Sequence, residues 1–78
     1  MANERFSAAV TGILQQRNIH ITDTKEKDGV LIMSTDTYAI PGFVVEQLIK
    51  AGREENKPTP VITIVSVENP TIQLLFPL

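Results

Sequence analysis

The chain has 78 residues, seven Lys or Arg against nine Asp or Glu, a net charge of -2 and no cysteine. That balance excludes the strong basic field of a nucleic-acid binder. The lack of thiols excludes a disulfide framework, a cysteine zinc site and thiol catalysis. A hydrophobic content of 42% with 21% charged residues belongs to a folded chain, and the length holds one domain, residues 1–78. The sequence has no apolar run of about 18 residues to span a membrane. Its opening, Met1 to Arg5, is polar and lacks the apolar core of a signal peptide. A cytoplasmic protein is expected, with neither membrane nor nucleic acid as partner.

The first element is a helix over 4–17. Phe6, Ala9, Val10, Ile13 and Leu14 recur with a 3.6-residue period and mark its buried face. Asn3 is the expected N-cap and Asn18 the C-terminal stop. Gly12 inside this helix costs about 1 kcal/mol relative to Ala, so a close backbone approach is expected there. Strands follow over 19–24 and 30–35, separated by a charged loop ending in Asp28-Gly29, a hairpin turn pair. The continuous run Val30 to Met33 suggests a strand covered on both faces. Residues 36–42 connect to a second helix over about 41–55, with Pro41 in its first turn and an apolar stripe of Val44, Val45, Leu48, Ile49 and Ala51. Pro58 and Pro60 end it.

A second hairpin occupies 61–67 and 71–76, turning at Glu68-Asn69-Pro70. Strict alternation places Val61, Thr63, Val65 and Val67 on one face, with Ile62, Ile64, Ser66 and Glu68 on the other. Ile13, Leu48 and Ile64 are expected in the core. The class is therefore α+β, in the order α-β-β-α-β-β: one four-stranded antiparallel sheet packed with two helices. With helices on one face only, either Leu31, Met33 and Leu75 or Val30, Ile32, Leu74 and Phe76 stay uncovered. An apolar surface of that size marks an interface.

Chemistry-bearing constellations are few. His20, the only histidine, alternates with isoleucines and reads as a surface or structural residue, because no nucleophile and base can be assembled around it. Asp23, Glu26, Asp28 and Asp36 fail the calcium-loop spacing, with Lys25 and Lys27 at positions that need oxygen ligands. The four glycines form no phosphate loop. No metal or cofactor is expected.

The order of elements, across the whole chain, resembles the roadblock-type regulatory domains, small dimerising scaffold modules; the fifth strand common in that fold has no counterpart here. The leading expectation is a non-enzymatic protein-binding module, acting as a homodimer: a regulator, adaptor or inhibitor of a larger protein. Its partners would be itself and another protein. Tyr38, Phe43 and Arg53 are the candidate contacts, as exposed aromatic or Arg anchors. Two alternatives stand beside it. One is a small-molecule sensor using the hydroxyls of Thr35, Thr37 and Tyr38 over an apolar floor. The other is a small enzyme.

Overall fold

The computed structural model describes residues 2–78, with side chains from Glu4 onward. Helix α1 (Ala2–Gln16) is followed by strands β1 (Ile21–Lys27) and β2 (Val30–Thr35), helix α2 (Gly42–Glu54), and strands β3 (Val61–Ser66) and β4 (Thr71–Pro77). The strands form one antiparallel sheet in the order β1-β2-β4-β3, so the two hairpins meet along β2 and β4.

Local chemistry explains most boundaries. Asn18 has φ 57, which reverses the chain after α1; Asn tolerates this left-handed conformation. The helix begins at Ala2, one residue before Asn3, so Asn3 is not the residue that precedes it; its side chain lies outside those described. Pro41 sits at the N-cap of α2, one residue earlier than expected. Asp28 and Gly29 both have positive φ, 52 and 75, the requirement of a two-residue type I′ turn. The tight turn brings Lys27 directly opposite Val30. Strand β1 therefore runs through Lys25, Glu26 and Lys27, and the expected charged loop shrinks to two residues.

Register assigns the sheet faces, because residues directly opposite each other point the same way. Leu31 lies opposite Phe76, Met33 opposite Leu74, and Thr35 opposite Ile72. All six are buried, together with Phe6, Val10 and Leu14 of α1 and Val44 and Leu48 of α2. Phe6 meets Phe76 edge to face at 5.5 Å between ring centres, a favoured aromatic geometry. The Thr35 hydroxyl donates to the Ile72 carbonyl at 2.9 Å, so the one buried polar side chain among the described residues is satisfied. The helices run antiparallel: Arg5 near the start of α1 pairs with Glu55 beyond α2 at 3.5 Å, while Arg17 beyond α1 lies over Phe43 at the start of α2.

Three expectations about the sheet need correction. First, Val30 to Met33 is not covered on both sides: both helices pack on one face, and Val30 and Ile32 lie on the other. Second, Leu75 is opposite Ile32, so Leu75 joins Val30 and Ile32 on the open face; Leu74 and Phe76 join Leu31 and Met33 beneath the helices. Third, the alternation of β3 breaks at a bulge between Ile64 and Ser66, which brings Ser66 opposite Thr71 and onto the open face. An extra residue in one strand shifts all later side chains by one position. Gly12 meets no backbone or side chain within 4 Å of an added Cβ, so the expected close approach is absent. Gly52 is buried, and its carbonyl accepts the Lys57 N–H at 2.7 Å.

Candidate interaction surface

Both edges of the sheet expose a strand, and their chemistry is opposite. β1 reads Ile-Thr-Asp-Thr-Lys-Glu-Lys, with four charges in seven residues. Charged side chains along an edge deter another strand from pairing there. β3 reads Val-Ile-Thr-Ile-Val-Ser and carries none. The two strands hold equivalent places in the two αββ halves, so this contrast is one of sequence and not of position.

On the helix-side face, Ile62 sits opposite Leu74 and Ile64 opposite Ile72, each extending a row of core residues outward. The helices do not reach those ends. Ile64 is 64% exposed, contrary to its expected place in the core, while Leu48 is fully buried and Ile13 packs partly buried against the core. Val61 and Val65 are 56% and 53% exposed, and Val67 beyond the strand is exposed as well. On the open face, Lys25, Ile32, Leu75 and Val61 form one row across all four strands. The row therefore ends on a charged residue at β1 and on an exposed valine at β3.

Of the three candidate contacts, two come together. Phe43 and Arg53 line a groove of about 780 Å³ over α2, with Arg17, Glu46, Gln47 and Lys50. The Arg17 guanidinium stands 4.7 Å from the Phe43 ring centre, a cation–π contact that holds both side chains at the surface. Tyr38 is exposed in the connector before α2 and is not among the residues lining this groove. The hydroxyls suggested for a sensor do not converge. Thr35 is committed to Ile72, and the Thr37 hydroxyl donates to the Ala39 carbonyl at 2.9 Å.

His20 Nδ1 lies 3.0 Å from Asp36 Oδ2, both exposed, and the Asp36 N–H donates to the His20 carbonyl at 3.3 Å. The pair ties the connector to the start of β1. Among the described residues no group of three His, Cys, Asp or Glu could hold a metal ion, and no helix is long and apolar enough to cross a membrane. No protein-family model and no curated protein sequence matches the chain.

Within this surface, the residues that sequence reasoning misplaced are those of β3, with Ile64 expected in the core. The available signal was a strand apolar at every position except Thr63 and Ser66. A strand covered on both faces and an unprotected edge strand share that composition, and only the sheet order separates them.

Proposed function

We propose that the chain is a non-enzymatic protein-binding module that works as a homodimer, with β3 as its assembly surface. One observation carries this reading: of two edge strands in equivalent positions, one is charged and the other is uncharged, apolar and exposed. An exposed apolar edge is a template for another chain, and a monomer with no partner would be selected against keeping one. Tyr38, Phe43 and Arg53 are the proposed contacts for a further protein, which the dimer would regulate, scaffold or inhibit. Their substitution should leave assembly unchanged, which separates the two surfaces.

Sedimentation equilibrium at micromolar concentration tests the assembly. The wild-type chain should sediment at twice its 8.6 kDa mass. Ile64→Lys should give a folded monomer, because Ile64 is exposed and a lysine there meets water. A wild-type monomer throughout that range sinks the proposal, as does an Ile64→Lys variant that still dimerises.

A further inference from the structure

The geometry points to a particular dimer: the β3 strands of two copies pair antiparallel about Thr63, joining the sheets into one of eight strands. This rests on the homodimer reading above and adds the surface's register and symmetry.

A strand pairing with its own copy across a two-fold axis obeys a parity rule. Opposite residues share a face, and side chains alternate along each strand. Opposite residues are therefore an even number of positions apart, and one residue must face itself. The candidates are Ile62, Thr63 and Ile64. Residues 61–65 read Val-Ile-Thr-Ile-Val, a palindrome centred on Thr63. Centring there sets Ile62 against the second copy's Ile64, and brings Val61 to the second copy's Val65, the extra residue of the bulge.

The rows of the sheet agree with that register. Asp23, Ser34, Gln73 and Thr63 form one polar row on the open face, within which Gln73 Nε2 donates to Ser34 Oγ at 3.3 Å. With Thr63 facing itself, this polar row continues into its own copy. On the helix side, Ile62 and Ile64 bring the rows through Leu74 and Ile72 together across the seam.

The other two centres are worse. Centring on Ile62 sets Thr63 against Val61 and draws in Pro60, which has no N–H to donate. Centring on Ile64 sets Thr63 against Val65 and carries the pairing past the bulge on both strands. Pro60 and the bulge at Val65 bound the regularly paired stretch, Val61 to Ile64, and the Thr63 centre alone sets Ile62 against Ile64 without drawing in Pro60 or Ser66. The second edge, β1, is closed to the same arrangement by its charges.

The chain has no cysteine, so single cysteines report the register without background. Directly opposite Cβ atoms lie roughly 4.5–5.5 Å apart, against ~7–8 Å on the diagonal, and a disulfide needs the shorter distance. Under mild oxidation Thr63→Cys should convert largely to a cross-linked dimer. Ile62→Cys and Ile64→Cys should each link poorly alone but link to one another when the two variants are mixed. Preferential self-linking by either isoleucine variant overturns the register. A Thr63→Cys protein that sediments as a dimer but does not link overturns β3 pairing while leaving the dimer standing. A monomer in sedimentation defeats the underlying reading itself.

Discussion

Single residues show most directly how position decides energetic weight. Leu48 and Ile64 are both branched aliphatics on apolar stripes, yet one is fully buried and the other 64% exposed. Leu48→Ala should cost ~2–5 kcal/mol through lost burial and a cavity, a large share of the roughly 4–12 kcal/mol such a chain has. Ile64→Ala, measured at concentrations where the chain is monomeric, should stay within about 0.5 kcal/mol of wild type, as exposed substitutions do. Urea denaturation of both variants checks the contrast, and comparable losses would place Ile64 inside. The glycines divide in the same way. Gly12 lies mid-helix with nothing near an added Cβ, so Gly12→Ala should stabilise by roughly 0.5–1 kcal/mol. Gly29 has φ 75 in the hairpin turn, so Gly29→Ala should destabilise by ~1–2 kcal/mol. Thermal melts of the pair should move in opposite directions.

At the scale of elements, the helices were legible in the sequence because a 3.6-residue stripe has one physical solution. Phe6, Val10 and Leu14 mark one stripe, Val44 and Leu48 the other, and all are buried. Asp28-Gly29 was legible as a turn, since few residue pairs accept two successive positive φ values. The strand ends were less so. β1 continues through Lys25, Glu26 and Lys27 because its hydrogen-bonding neighbour β2 holds it, whatever the polarity of its side chains. The bulges in β1 and β3 left no mark in a pattern that alternates strictly on paper. The candidate surface was only half visible for the same reason. Phe43 and Arg53 suggested contacts by residue type, but their shared groove depends on Arg17 arriving from the other helix.

For the whole molecule, a dimer links stability to concentration. If β3 pairs two copies, the melting midpoint should rise with protein concentration, whereas Ile64→Lys should melt at a midpoint independent of it. Differential scanning fluorimetry over a hundredfold range distinguishes the two, and a flat wild-type series would count against assembly. The sequence by itself determined the α+β class, the order of six elements and the buried stripes of both helices, because periodicity and turn chemistry act between near neighbours along the chain. Only the tertiary structure decided which strands stand at the edges, which parity of β2 and β4 lies beneath the helices, and that Ile62 and Ile64 lie beyond their cover. Those outcomes depend on how the two hairpins meet along β2 and β4. That meeting joins residues about forty positions apart, and no local pattern in either hairpin specifies it.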